Sequence, residues 1–234
     1  LLGREMAHFT SSANYMLNCG LGILFLFIGG VALLGKAGDF LPELETLFSD
    51  GPEAVPVLLC AAVCALCSMN DMTAPSVSLE GKTLWLAQSM PVAPWQVLQA
   101  KLRLEWLLSG VPTLFCAACA GCLVSASPLE RGLTILLPVC FALFSALLGL
   151  TLGLKMPNLT WTSEITPIKQ SACVAVTLLA GFLYAGALAA VYFLAGYRLN
   201  LSLYLGLFAL LTLAASAALY FWIKTRGSRR FATL

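Results

Sequence analysis

Long apolar segments alternate with short polar ones along the chain, and this pattern predicts a bundle of membrane-spanning helices. The apolar runs approach the ~20 residues that an α-helix needs to cross the hydrocarbon core of a bilayer. The predicted spans are six, at about 15–34, 55–74, 98–126, 132–154, 171–195 and 201–223. The predicted fold class is therefore an all-α integral membrane protein, with a single domain over residues 1–234.

Two local features refine this picture. The stretch before the first span, residues 1–14, is mixed and amphipathic, which suits a helix lying along the membrane surface. We call it the N-terminal segment. The third span is long enough for its first turns to project from the membrane, and Pro112 is expected to kink it.

One segment differs from the spans around it: residues 78–91, SLEGKTLWLAQSMP, which we call the amphipathic segment. Ser78 can act as an N-cap, and Glu80 lies near the helix start, where negative charge is favourable. Pro91 ends the segment because proline cannot continue a helix. The pattern predicts a short amphipathic helix of about three turns outside the hydrocarbon. Such a helix either rests on the inner leaflet or docks a partner, and the spacing alone does not decide between them.

The amino-acid composition supports a membrane protein. The chain is 60% hydrophobic and 10% charged, whereas a soluble domain is about 25% charged. The net charge is +2, which is too small to indicate a nucleic-acid partner. The chain starts Leu-Leu-Gly-Arg without an initiator Met, and we expect it to be a piece of a longer polypeptide.

Positive charge is distributed unevenly between the two sides that six spans define. If both termini lie on the inner side, that side carries most of the 13 Lys and Arg residues. Because cytoplasmic loops are enriched in Lys and Arg, both termini and the amphipathic segment are predicted to be cytoplasmic. The acidic loop at residues 36–54 then faces outward, where it either is simply solvated or tunes the release of a cationic substrate.

The sequence argues against several kinds of chemistry. It has one histidine, His8, and no His-Glu-x-x-His metal motif. No Gly-rich phosphate loop is present, so ATP hydrolysis on this chain is not expected. The centres of the predicted spans lack Asp, Glu, Lys, Arg and His, which weakens an interpretation as an ion-coupled transporter. No catalytic residue and no metal site are predicted.

The small residues of the spans have a packing and a chemical interpretation. Six of the nine cysteines recur on one face of spans two and three: Cys60, Cys64, Cys67, Cys116, Cys119 and Cys122. Thiolates at this spacing would suit a soft metal ion or a membrane enzyme. We favour close helix packing, because cysteine is a small apolar residue. Gly149 and Gly153 in span four likewise predict a close helix contact.

Three polar segments resemble segments of bacterial ABC-2-type exporter permeases. The motif S-x-E-G-K-x-x-W-x-x-x-S-x-P of the amphipathic segment is similar to their cytoplasmic coupling helix, which lies between spans two and three. Residues 156–170, which we call the second loop, resemble a second cytoplasmic segment of the same permeases. Residues 9–18, FTSSANYMLN, are similar to the elbow helix that precedes the first span.

The resemblance implies roles for named residues. Coupling to an ATPase is expected of six residues: Glu80, Gly81, Lys82, Trp85, Ser89 and Pro91. The second loop is expected to contribute Trp161, Glu164, Lys169 and Gln170. The polar ends of spans two and three are expected to act as a lever, through Asp71, Lys101, Arg103 and Glu105.

The resemblance also implies a function, that of the permease subunit of an ATP-driven exporter in the plasma or inner membrane. It would work by alternating access, with ATP and Mg bound by a partner ATPase subunit and no cofactor in this chain. A second six-span half, or another permease copy, would complete the pathway in the lipid bilayer. Alternatives are a membrane-embedded enzyme, an enzyme-anchoring subunit and a secondary transporter.

Overall fold

The computed structural model describes residues 1–35, 46, 53–124 and 127–234, without the side chain of Lys82. Within these ranges the chain is helical and has no strand. The main helices are α1 Leu2–Ser11, α2 Ala13–Cys19, α3 Leu21–Gly35, α4 Ala54–Ser68, α5 Thr73–Ser76, α6 Leu84–Ser89, α7 Pro94–Glu105, α8 Val111–Leu123, α9 Pro128–Lys155, α10 Ile165–Lys169, α11 Ala172–Leu194, α12 Leu201–Trp222 and α13 Ser228–Thr233. Segments of 3-10 helix lie at Ser78–Thr83 and Gly196–Arg198, and π-helical turns lie at Trp106–Gly110 and Ile223–Gly227.

By length and composition, five helical stretches of the described residues could cross a membrane. They are Ala54–Gly81, Pro94–Leu123, Pro128–Lys155, Ile165–Leu194 and Leu201–Thr233. A sixth is obtained if α2 and α3, which meet at 45°, form one span. The prediction of an all-α fold with several helices long and apolar enough to cross a membrane is confirmed for the described residues, and the count of six stays a prediction. The acidic loop at residues 36–54 falls almost entirely outside the described residues.

Helix α9 lies at the centre of the bundle and contacts α4, α5, α8, α11 and α12. Its start is fixed by a capping box, in which Ser127 Oγ accepts from the Glu130 amide at 3.4 Å and Glu130 Oε2 accepts from the Ser127 amide at 2.9 Å. The helix therefore begins at Pro128, one turn earlier than the predicted start near Gly132.

The amphipathic segment does not form the single helix of three turns that the sequence predicted. It is divided into a 3-10 segment, Ser78–Thr83, and the short helix α6. The 3-10 segment is itself bent at Gly81, whose φ of 49° and ψ of −127° are strained for any residue with a Cβ. A Cβ at this position would also lie 3.0 Å from the ring of Trp161. The prediction was wrong because a tertiary contact fixes the backbone at this point.

Spans two and three are both irregular. Span two is interrupted between Ser68, the last residue of α4, and Thr73, the first residue of α5. Span three contains the π turn Trp106–Gly110, which ends two residues before Pro112, whose nitrogen has no hydrogen to donate to the preceding turn. The irregularity expected at Pro112 is thus found in the residues just before it. The interruption of span two was not predicted.

Two glycines of α9 allow the interrupted span to approach closely. A Cβ at Gly153 would lie 2.5 Å from the Ala74 carbonyl oxygen, and one at Gly149 would lie 2.6 Å from Thr73 Oγ1. The close helix contact that these glycines predicted is confirmed, and its partners are the Ala74 backbone at Gly153 and the Thr73 side chain at Gly149.

The substitution Gly153→Ala is expected to lower the free energy of unfolding by about 1–3 kcal/mol, because the added methyl group meets backbone atoms that cannot move aside. Gly186→Ala in α11 is the matched control, since no atom lies within 4 Å of its Cβ position. The control should be neutral or slightly stabilising through its higher helix propensity. Chemical unfolding of the purified protein in detergent measures both, and equal losses would contradict the close contact.

Candidate functional site

One end of the bundle gathers charged side chains inside the protein. We call this site the polar junction and define it by six residues: Arg4, Glu5, Asp71, Glu80, Lys101 and Glu105. It forms where α1 and the residues that follow the interruption of span two meet α7. All of the six are buried except Arg4, which is partly exposed. Because a buried charge is costly unless it is paired, the partners of these side chains are informative.

Four of the charges form a closed network around Lys101. Its Nζ atom donates to Glu5 Oε2 and to Glu80 Oε1, both at 2.8 Å. The third hydrogen of this ammonium group is directed to the Ser76 carbonyl at 3.2 Å. Arg4 Nη2 closes the network by donating to Glu80 Oε1 at 2.7 Å and to Glu5 Oε1 at 3.0 Å. Two positive and two negative charges thus join α1, the amphipathic segment and α7.

The electrostatics of Glu5 favour this attachment of α1. Burial raises the pKa of the Glu5 carboxyl, but the Lys101 ammonium and the Arg4 guanidinium outweigh burial and hold the pKa below its ordinary value. The network is therefore stabilising above the ordinary carboxyl pKa, and this contribution is lost as the pH falls through the lowered pKa.

The interruption of span two is stabilised by side chains from other helices. Glu105 Oε2 accepts from the amide of Met72 at 2.7 Å and from that of Thr73 at 2.8 Å. The Tyr15 hydroxyl donates to the Met72 carbonyl at 2.7 Å. Backbone groups freed within a membrane protein need such partners, because no water replaces the lost helical hydrogen bonds.

Asp71 is only partly satisfied. Its Oδ1 atom accepts from the Ala74 amide at 3.2 Å, whereas Oδ2 is buried without a hydrogen-bond partner among the described residues. The Thr177 hydroxyl lies close by but donates to the Cys173 carbonyl at 2.8 Å. Glu105 is near enough to interact electrostatically with Asp71. Neither acid forms an ion pair with a cation of the described residues, since Arg4 and Lys101 are engaged by Glu5 and Glu80.

The irregular parts of spans two and three lie at the same level. Asn70 Nδ2 donates to Ser109 Oγ at 3.3 Å, which joins the interruption to the π turn. The Sγ atom of Cys67 lies 3.6 Å from the same hydroxyl. The two spans that the amphipathic segment connects are thus irregular at one common level.

The second loop packs onto the start of the amphipathic segment. Trp161 Nε1 donates to the Ser78 carbonyl at 2.6 Å, and Ser78 Oγ accepts from the Asn158 amide at 3.0 Å. Glu164 Oε2 accepts from the hydroxyl of Ser12, between α1 and α2, at 2.7 Å. The three segments that resemble permease segments are therefore in direct contact.

The residues predicted to couple to an ATPase divide into two groups. Glu80 and Gly81 are buried in the contacts described above. Trp85 is 65% exposed, and Ser89 and Pro91 are exposed as well. The side chain of Lys82 lies outside the described part of the structure. Of the five described side chains, those of Trp85, Ser89 and Pro91 are therefore available to a partner.

The other predicted residues divide in the same way. In the second loop, Trp161 is half-buried against Gly81, whereas Glu164, Lys169 and Gln170 are exposed. Of the residues predicted to act as a lever, Asp71, Lys101 and Glu105 are buried in the junction. Arg103 is exposed.

Sequence reasoning missed Arg4 and Glu5 of the junction, and it missed Tyr15, which binds the interruption of span two. An amphipathic N-terminal segment ordinarily turns its charges to water, so its pattern does not point to a buried pair. The available signal was the scarcity of charge, because an adjacent Arg and Glu are conspicuous in a chain with 10% charged residues.

The cysteines act as small packing residues with weak hydrogen bonds. All nine are free, and eight of them are buried. Cys60 Sγ donates to the Thr134 carbonyl at 3.4 Å, and Cys173 Sγ donates to the Ala74 carbonyl at 3.5 Å. In the described ranges, no group of three His, Cys, Asp or Glu side chains is arranged to hold a metal ion. These contacts support the packing interpretation of the thiols.

Comparison of the chain with protein-family models, with curated proteins and with solved structures finds no match in any of the three. The resemblance of the polar segments accordingly stays an interpretation of their residues, and a function has to be inferred from the geometry of the junction.

The substitution Lys101→Met is expected to lower the free energy of unfolding by about 3–5 kcal/mol, because it leaves two buried carboxylates without their main counter-charge. Arg103→Met is the matched control on the same helix, and its exposed side chain should contribute within about 0.5 kcal/mol. The double change Lys101→Met with Glu5→Gln should recover part of the loss. Chemical unfolding in detergent without added lipid measures all three.

The result that would count against the network is a loss for Lys101→Met no larger than that for Arg103→Met. Failure of Glu5→Gln to recover any stability in the double variant would argue the same way, because the two side chains would then not interact.

Proposed function

We propose that the chain is the transmembrane permease subunit of an ATP-driven ABC exporter, which moves substrate by alternating access coupled to a partner ATPase. The observation that carries this proposal is the direct contact among the N-terminal segment, the amphipathic segment and the second loop. These are the segments that resemble the elbow helix and the two cytoplasmic segments of ABC-2-type permeases. ATP and Mg are bound by the ATPase, and this chain contributes no cofactor site.

The exposed part of the amphipathic segment is the proposed contact with the ATPase. Trp85 is 65% exposed and the adjacent Leu86 is 52% exposed. The opposite face of α6 is attached to the bundle, because Leu84 and Ala87 are buried in a cluster with residues of α7 and α9. A force applied at Trp85 is therefore transmitted to the helices rather than absorbed by a loose loop.

The charge network gives this force a route into spans two and three. Glu80 lies just before α6 and is bonded to Lys101 of α7 at 2.8 Å. The interruption of span two and the π turn of span three then act as hinges above the network, since both lack regular helical hydrogen bonding. Closing of two ATPase subunits would bend both spans at this level.

We also propose where the chain lies in the cell and what surrounds it. The junction end of the bundle faces the cytoplasm, as the distribution of Lys and Arg favours. The membrane is the plasma or inner membrane of a bacterial cell. A second six-span half or another permease copy completes the substrate pathway, and the rest of the apolar surface contacts lipid.

The substitution Trp85→Ala is expected to weaken capture of the proposed partner ATPase subunit by about tenfold or more, because a large exposed aromatic at the centre of a contact typically contributes about 2 kcal/mol. Pull-down and transport-linked ATPase activity measure the effect. Tyr197→Ala is the matched control, an aromatic that is 57% exposed between α11 and α12 at the opposite end of the bundle. Unchanged capture in Trp85→Ala, Glu80→Gln and Lys82→Ala would refute the coupling role.

A secondary transporter is the second candidate, and Asp71 is the observation that favours it. Its buried, unpartnered Oδ2 atom lies at an interrupted span, which is where ion-coupled transporters place proton- or cation-binding groups. In this case the carboxyl group would bind and release a proton during transport, and no ATPase would be required.

Proton entry into proteoliposomes separates the two candidates. A pH-sensitive dye inside the vesicles reports entry after a pH gradient is imposed. A secondary transporter predicts protein-dependent entry that Asp71→Asn abolishes and that Glu53→Gln, a change at an exposed carboxylate, preserves. Entry that is equal in Asp71→Asn and in the unmodified protein would exclude a proton-carrying role of Asp71.

A further inference from the structure

An apolar groove of about 410 Å³ opens on the surface of the bundle beside the π turn of span three. Helix α7, the π turn and the start of α8 form one wall, α9 lies at the back and α12 contributes Tyr220. Leu2 of α1 lies at the same groove. Trp106 and Leu107 in the wall are each 47% exposed, so the groove is open to the surroundings of the bundle.

The lining changes from polar to apolar along one face of span three. Gln99, Arg103, Trp106, Leu107 and Val111 follow one another at helical spacing and all contact the groove. The distance from Arg103 to Val111 is about 12 Å at the helical rise per residue. One leaflet of the hydrocarbon core is about 15 Å thick. The sequence of cation, indole and aliphatic residues therefore matches the headgroup, the interface and the acyl chain of one lipid.

Arg103 is the charge at the polar end of the groove. It is exposed, and within the described residues it makes no ion pair and no hydrogen bond. Lys101, two residues earlier, faces the other side of α7 and is held by Glu5 and Glu80. Glu105, the carboxylate nearest to Arg103 in the sequence, accepts from the amides of Met72 and Thr73 instead. Among the described residues the Arg103 guanidinium is therefore free for an anion. A guanidinium suits a phosphate because it can donate two parallel hydrogen bonds.

We propose that this groove binds a phospholipid with an anionic headgroup. The phosphate pairs with Arg103, and one acyl chain lies along Trp106, Leu107 and Val111 against α9. The occupant is a lipid rather than a second copy of the chain, because the order of polar and apolar residues follows the depth of a bilayer leaflet and ends in an unpaired cation. The proposal requires only a membrane protein and does not depend on the exporter function.

Retention of defined lipids tests the headgroup. The purified protein is incubated with phosphatidylglycerol or phosphatidylcholine, and bound lipid is counted by native mass spectrometry. Phosphatidylglycerol should be retained preferentially, and Arg103→Gln should weaken its retention about fivefold. Arg226→Gln is the control, because Arg226 is exposed and does not line the groove. Equal retention of the two lipids, or equal effects of the two substitutions, would overturn the proposal.

Cross-linking tests the position of the acyl chain. Phosphatidylglycerol with a photoreactive acyl chain should label residues 99–111 or 143–147, and Leu143→Phe should reduce this labelling by filling the back of the groove. Leu107→Trp is a second filling variant at an exposed position, in case the first variant does not fold. Labelling elsewhere, or unchanged labelling in both folded variants, would refute the site. A lipid-free dimer that Leu107→Trp dissociates would assign the groove to a second copy instead.

Discussion

The buried ammonium group of Lys101 is the interaction on which the polar junction depends. Removing it from water costs several kcal/mol, which only well-placed acceptors can offset. Glu5, Glu80 and the Ser76 carbonyl supply these acceptors at 2.8–3.2 Å. These acceptors belong to α1 and to the residues after the interruption of span two. If either element were displaced, buried charges of the network would lose their partners. The network therefore fixes their relative arrangement more narrowly than apolar contacts would, because a small displacement leaves a buried charge unpaired.

At the interruption of span two, buried backbone groups likewise need hydrogen-bond partners from other elements. An uninterrupted helix satisfies its own amides and carbonyls, and a break inside a membrane protein requires side chains to replace them. Glu105 and Tyr15 fill this role for Met72 and Thr73. The close approach at Gly149 and Gly153 then presses the broken segment against the continuous helix α9. The bundle thus combines a rigid central helix with two neighbouring spans that are irregular at one level.

Sequence patterns predicted the helical membrane fold because apolar runs of sufficient length leave few alternatives. They failed at residues 78–91 because the backbone at Gly81 depends on Trp161, which is distant in the sequence. The sequence patterns also predicted that the start of span three projects from the membrane into water, since charged residues at the end of a long helix ordinarily do so. Lys101 and Glu105 are instead buried, because α1 and the broken part of span two cover them. No local sequence pattern indicates that an N-terminal helix folds back over another span. The junction was therefore not predicted, although four of its six residues were predicted to be functional.

Helix α7 shows how one short stretch serves two environments. Lys101 and Arg103 are two residues apart, and two residues correspond to about 200° around a helix. The two cations therefore lie on nearly opposite faces of the helix, so that one faces the bundle and the other faces outward. The inward position is compatible with burial because the partners on α1 and the amphipathic segment are acidic.

The outward position has no acidic partner in the described structure, and its neighbours along the helix become progressively more apolar. Any bending of span three at the π turn changes the shape of this outer face as well, since Trp106 and Leu107 belong to the turn itself. The charge network and the groove thus lie on opposite sides of the same helix.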